Sequence, residues 1–159
     1  VWNMVQLDSV FKDFRIVKSM DCIFCKIAKG ELPYSSVYED KDFLAFMDIK
    51  PINKGHVLVV PKKHFELVSE MNKTDVSKMI VVAKKINSAI RKSGIKCTGI
   101  NFFLADGETA GQEVPHVHLH VIPRFLGDGF GFKFPDNYSN KPPREELEHL
   151  AKEIKKELD

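Results

Sequence analysis

Gly111-Gln112-Glu113-Val114-Pro115-His116-Val117-His118-Leu119-His120-Val121-Ile122-Pro123-Arg124 holds three of the chain's six histidines at alternate positions. Side chains switch faces at every residue of a β-strand, so His116 to Ile122 reads as a strand stopped by Pro123. His116, His118 and His120 then line one face, while Val117, Leu119 and Val121 anchor the other in a core. A buried imidazole needs hydrogen-bond partners and packs less well than an aliphatic group, so three in strict alternation point to chemistry. Two chemistries fit the spacing. His-x-His on a strand can ligate zinc. Alternatively, one neutral imidazole attacks an electrophile while its neighbours position the leaving group. Crowded imidazoles cannot all carry a proton, so at least one stays neutral at neutral pH, which suits a nucleophile.

Outward from this strand, the pattern predicts an antiparallel α+β sheet. Ser36 to Glu39 and Phe43 to Met47 read as strands across the turn Asp40-Lys41-Asp42. The apolar run Val57 to Val60 reads as a strand buried on both faces. Thr74 to Ser93 carries Val76, Met79, Ile80, Ala83, Ile86 and Ile90 at helical spacing, with Asn72 or Thr74 as cap and Gly94 as stop. Thr98 to Ala105 reads as a further strand, followed by the loop Asp106 to Gly111. Pro142-Pro143 leads into a last helix with Leu147, Leu150, Ala151, Ile154 and Leu158 on one face. Val1 to Ser19 reads as an extension of uncertain role in which Val5, Leu7, Val10, Phe11, Phe14 and Ile16 allow an amphipathic helix. Residues 20–159 read as a single domain, with a core over 21–124 and a tail and helix over 125–159.

At 159 residues the chain is long enough for one compact domain. Its 43% hydrophobic and 29% charged residues argue against disorder. A formal charge of +2 gives no electrostatic case for nucleic acid or an anionic membrane as partner. No apolar run approaches a membrane span, and no export signal is evident, so the expected setting is the cytoplasm. Cys22, Cys25 and Cys97 are too few for a disulfide framework. Cys22 and Cys25 have the spacing of half a tetrahedral zinc site or of a redox pair, while Cys97 reads as a packing residue or free thiol.

The run from Gly111 to Arg124 closely resembles the signature of the histidine triad (HIT) family of nucleotide hydrolases and transferases. The resemblance extends from about Asp21 to Arg124 and includes Ile23-Phe24, Phe46-Met47-Asp48, Gly55-His56 and Pro61-Lys62-Lys63-His64. It implies the HIT fold, with about five antiparallel strands, one long helix and a C-terminal helix. It also implies hydrolysis at the α-phosphate of a purine nucleotide derivative, either a nucleoside phosphoramidate or a dinucleoside polyphosphate. His118 resembles the nucleophile, which forms a covalent nucleotidyl-histidine, and His120 and His56 resemble the flanking imidazoles. Asp48 resembles the acidic residue that binds the ribose hydroxyls. Ile23, Phe24, Ile27, Phe46 and Ile49 match the apolar pocket around the base, and the backbone of Gln112, Glu113 and Val114 matches a phosphate-binding turn. The resemblance further implies a homodimer.

The opening Asp21-Cys22-Ile23-Phe24-Cys25 is similar to that of bacterial and archaeal HIT proteins with structural zinc, which implies Cys22, Cys25, His64 and His116 as its ligands. Two departures stand out. Ala105 replaces an amide side chain frequent in relatives, and Glu113 replaces a hydroxyl donor. Glu113 either points away from the phosphate or protonates the leaving group. Two other function classes stay open. One is a nucleotide-binding interaction protein with vestigial hydrolysis, and the other is a zinc hydrolase with the triad as ligands.

Overall fold

The computed structural model describes residues 21–158, so the helix expected within Val1 to Ser19 lies outside the described residues. Two compact units are distinguished, one ending at Asp128 and one beginning at Gly129. In the first, helix α1 (Ile23–Ala28) precedes strands β1 (Ser36–Glu39), β2 (Phe43–Met47) and β3 (Val57–Pro61). Helix α2 (Lys73–Lys92) follows, then β4 (Gly99–Phe103) and β5 (Leu119–Arg124). The five strands form one antiparallel sheet in the order β1-β2-β3-β5-β4. The architecture is therefore α+β, as the spacing predicts. The second unit contains α3 (Arg144–Lys156), which follows Pro143. No helix among the described residues is long and apolar enough to cross a membrane.

Both faces of the central strands are covered, which explains their unbroken apolar runs. Phe43, Ala45, Val57, Val59, Val117, Leu119 and Val121 pack with Met79, Val82, Ala83, Ile86 and Ile90 of α2. At about 1.5–3 kcal/mol for each large side chain, this layer is the main source of stability. The opposite face gathers Leu44, Phe46, Leu58 and Val60 with Phe24, Cys25 and Ile27 of α1. Asn72 is the cap of α2, its side-chain oxygen accepting from Asp75 N–H at 2.9 Å. Gly94, at φ +79°, takes the chain out of the helix.

β5 begins and ends later than the alternation suggests. The register Val59↔Leu119 brings Val117 opposite Pro61, which has no N–H to offer the ladder. Val117 N–H donates instead to the Phe65 carbonyl at 2.7 Å. Pro123 does not stop the strand. The Arg124 carbonyl accepts from Thr98 N–H on the β4 side. The Pro123 nitrogen therefore faces the other way, where pairing with β3 has already ended at Val57↔Val121. The face alternation survives this shift: Val117, Leu119 and Val121 lie in the α2-side core, whereas His116 and His118 ring-stack edgewise with Phe24 of α1.

Candidate active site

His118 is buried, and its Nδ1 lies 2.7 Å from the carbonyl of His116. A carbonyl only accepts, so Nδ1 carries the hydrogen and donates it. Nε2 is left with its lone pair. Burial pushes the His118 imidazole below the ordinary 6.5, so the ring is neutral at pH 7. A neutral imidazole held at one nitrogen and bare at the other is poised for nucleophilic attack.

The neighbouring imidazoles form an ordered chain. Ile52 N–H donates to His56 Nδ1 at 3.2 Å. The proton of His56 therefore sits on Nε2, which is 2.9 Å from His120 Nδ1 and donates to it. The proton of His120 is in turn left on Nε2. The His118 and His120 rings lie 4.9 Å apart, centre to centre. Burial, then the neighbouring His118 and His56, push His120 down to about 4, and burial lowers His56 too. Asp48 Oδ2 stands 3.6 Å from His56 Nε2 and 3.9 Å from His120 Nδ1. Its other oxygen accepts from Lys50 N–H at 2.8 Å. This carboxylate beside the imidazole pair is a relation that sequence spacing does not reveal.

The remaining expected residues divide by burial. Phe24, Ile27 and Phe46 share one buried cluster, whereas Ile23 is 45% and Ile49 is 89% exposed. Val114 packs against the same cluster. Gln112 braces the preceding turn: its Oε1 accepts from Gly107 N–H at 2.7 Å and its Nε2 donates to the Glu66 carbonyl at 2.9 Å. Its backbone N–H donates to the Gly107 carbonyl at 3.2 Å. Gly107 and Gly111 both have positive φ, at +102° and +91°, with open space where a Cβ would stand. Glycine is required there by backbone conformation. Ala105 is buried and Glu113 is exposed.

A second cluster lies at the start of the triad. Cys22 Sγ is 3.3 Å and Cys25 Sγ is 3.6 Å from His116 Nδ1, and Cys25 Sγ is 3.3 Å from His64 Nδ1. Tetrahedral zinc with thiolate and imidazole ligands sets sulfur–nitrogen edges of about 3.6 Å. His116 Nε2–H donates to the Pro61 carbonyl at 2.8 Å, which leaves Nδ1 as the ligating nitrogen. Burial and the adjacent Cys22 push the Cys25 thiol up to about 12, so a cation is what would make its thiolate favourable. The four residues could hold a metal ion. His116 thus faces the cysteines with its ring and His118 with its carbonyl.

The family model for the HIT domain matches residues 29–127. The chain belongs to the HIT family. A HIT-like protein of Methanocaldococcus jannaschii is 47% identical over 134 residues, covering 84% of this chain and 98% of its own. The adenosine 5'-monophosphoramidase of Schizosaccharomyces pombe is 36% identical, over 87% of this chain and 99% of its own. Among solved structures, a HIT family member from Bacillus subtilis superposes with a TM-score of 0.79 at 41% identity, covering 87% of this chain and 98% of its own. A zinc-bound histidine triad protein from Mycobacterium smegmatis gives 0.68 at 38% identity, covering 87% and 99%. The HIT fold predicted from the triad is the fold observed, and the Cys-x-x-Cys opening places its two thiols beside two imidazoles, as HIT relatives with zinc led us to expect.

Proposed function

We propose that this HIT protein is a hydrolase that cleaves purine nucleotide derivatives at the α-phosphate, with His118 Nε2 as nucleophile. The observation that carries the reading is the 2.7 Å bond from His118 Nδ1–H to the His116 carbonyl, which frees Nε2. Nε2 attacks phosphorus in line, forming an N–P bond as the bond to the leaving group breaks. The phosphate's negative charge favours one added proton on the His56–His120 pair, and the Asp48 carboxylate beside that pair supports it. This proton goes to the leaving group. Water then cleaves the nucleotidyl-histidine, returning a proton to the pair and releasing the mononucleotide. Phosphoramidates and dinucleoside polyphosphates share this chemistry, and the kinship with a monophosphoramidase favours the first.

In this reading Asp48 also accepts from the ribose hydroxyls. Ile23 and Ile49 join Phe24, Ile27 and Phe46 around the base, and Glu113 and Val114 border the phosphate. Zinc on Cys22, Cys25, His64 and His116 would supply a structural crosslink, outside the chemical step. The protein would act as a cytoplasmic homodimer, without nucleic acid or membrane, and residues 20–159 would act as one domain.

A zinc hydrolase is the second reading, with Asp48, His56 and His120 in place of the triad as ligands, since these three could also hold an ion. The Ile52 N–H on His56 Nδ1 argues against it, because it keeps the proton on the nitrogen that would have to ligate. Wild type and His118→Ala, assayed on a fluorogenic adenylate phosphoramidate and on diadenosine polyphosphates with and without chelator, test the choice. The nucleophile reading expects turnover that survives chelation and is lost in the variant. Activity lost to chelator and restored by zinc would replace it with metal catalysis. Tight nucleotide binding without turnover would make the protein a binding module.

A further inference from the structure

One buried carboxylate has no part in the chemistry above. Asp128 lies in the turn that follows β5, with its side chain 4% exposed. Its Oδ1 accepts from Arg124 Nη2 at 2.8 Å and its Oδ2 from Arg124 Nε at 2.5 Å, a fork-to-fork pair that neutralises the buried charge. Arg124 Nη1 donates onward to Asn101 Oδ1 on β4. The same Asp128 Oδ2 accepts from Asn53 Nδ2 at 2.8 Å. Asn53 Nδ2 also donates to the Pro123 carbonyl at 2.8 Å, so both amide hydrogens are engaged.

Asn53 stands in the turn that delivers His56. Its carbonyl accepts from His56 N–H at 3.1 Å, and the residue before it, Ile52, donates to His56 Nδ1. We infer that Asn53 and Asp128 are positioning residues that tie this turn to the end of β5 and so keep His56 in its Nε2–H tautomer. Which nitrogen of a neutral histidine holds the proton is decided by the partner of the other nitrogen. A fixed backbone N–H permits one answer, whereas water, as donor or acceptor, permits both. Reversal at His56 would oblige His120 to donate from Nδ1, exchanging the Nε2–H of His120 for a lone pair that repels phosphate oxygen.

The consequence for turnover rests on the hydrolase reading; the tautomer itself does not. Ring nitrogen–proton correlation NMR on the 15N-labelled full chain reads the tautomer directly. In wild type His56 should show a protonated Nε2 and an acceptor Nδ1. In Asn53→Ala the two forms should mix, and kcat should fall about 10- to 100-fold while KM changes less than about threefold, because a donor to the transition state is lost. Asp128→Asn should shift both readouts in the same direction, and it carries the test if Asn53→Ala fails to fold. Asn53→Ser, which retains one donor, should restore part of the wild-type ring pattern. A folded Asn53→Ala or Asp128→Asn with unchanged His56 ring signals overturns the inference. If wild type turns over no nucleotide substrate, the hydrolase reading fails while the NMR arm still decides this one.

Discussion

At the scale of single residues, the site works by assigning protons to particular nitrogens. His118 gives its hydrogen to a carbonyl, and His56 receives one from a backbone amide. If His118 is the covalent nucleophile proposed, replacing it with alanine should cost about 10^4-fold or more in kcat. Burial lowers the His118, His56 and His120 imidazoles, so each is neutral above the ordinary 6.5. On its acid side the pH profile of kcat/KM should thus fall only below 6.5, where protonation removes the Nε2 lone pair of His118 that the proposed mechanism uses. A midpoint at or above 6.5 would contradict this account. Glu113 is exposed, and the proposed mechanism assigns the proton to the His56–His120 pair, so Glu113→Gln should keep kcat within about threefold at every pH. The spacing of the triad makes His118 and His120 legible from sequence, whereas His56 is reached only through the family resemblance. The place of Asp48 beside two of them is not, because Asp before a proline-containing turn reads as an ordinary turn residue.

At the scale of elements, the fold makes two close joins around the site. The Cys22–Cys25–His64–His116 cluster ties α1 to the chain beyond β3 and to the approach of β5. If it holds zinc, Cys25→Ser or prolonged chelation should destabilise the protein by at least about 2 kcal/mol, a fall of roughly 4–8 °C in Tm at this chain length. Metal analysis and a thermal melt on the same samples check this, and a metal-free preparation with an undiminished Tm would refute it. The second join is at Gly55, where φ is +91° and an added Cβ would lie 2.9 Å from Ile95 Cδ1 and 3.2 Å from Pro123 Cγ. Gly55→Ala should cost about 1–3 kcal/mol in denaturant unfolding, from backbone strain with a clash added. Local pattern reads several elements well: β1 and β2 fall on the residues that alternation and the intervening turn predict, and α2 is displaced by one residue. The limits of β5 depend on what lies opposite, Pro61 at one end and the start of β3 at the other, and no local pattern holds that information.

At the scale of the whole molecule, the net charge of +2 says little about acid tolerance, whereas the buried imidazoles say much. His120 is held at about 4 when folded and returns to about 6.5 when unfolded. Between those values the unfolded chain binds more protons, so stability falls as pH drops from 6.5 toward 4. At about 1.4 kcal/mol per unit, His120 alone accounts for up to roughly 3 kcal/mol. Urea unfolding at about pH 7 and about pH 4.5 should show this loss, and His120→Asn should reduce it. The Asn53–Asp128 tie joins residues 75 positions apart. Each of the pair reads alone as a loop-former, which is why long-range positioning escapes a reading made along the chain.

The alternation along His116 to Val121 acts as a reading frame in space. An inserted or deleted residue would present aliphatic groups to the cysteines and to the His56–His120 side of the site while turning imidazoles into the α2-side core. The damage would be simultaneous and without intermediates. Descendants of this sequence can therefore explore new side chains along the run, but not new lengths: its evolution is confined to substitution.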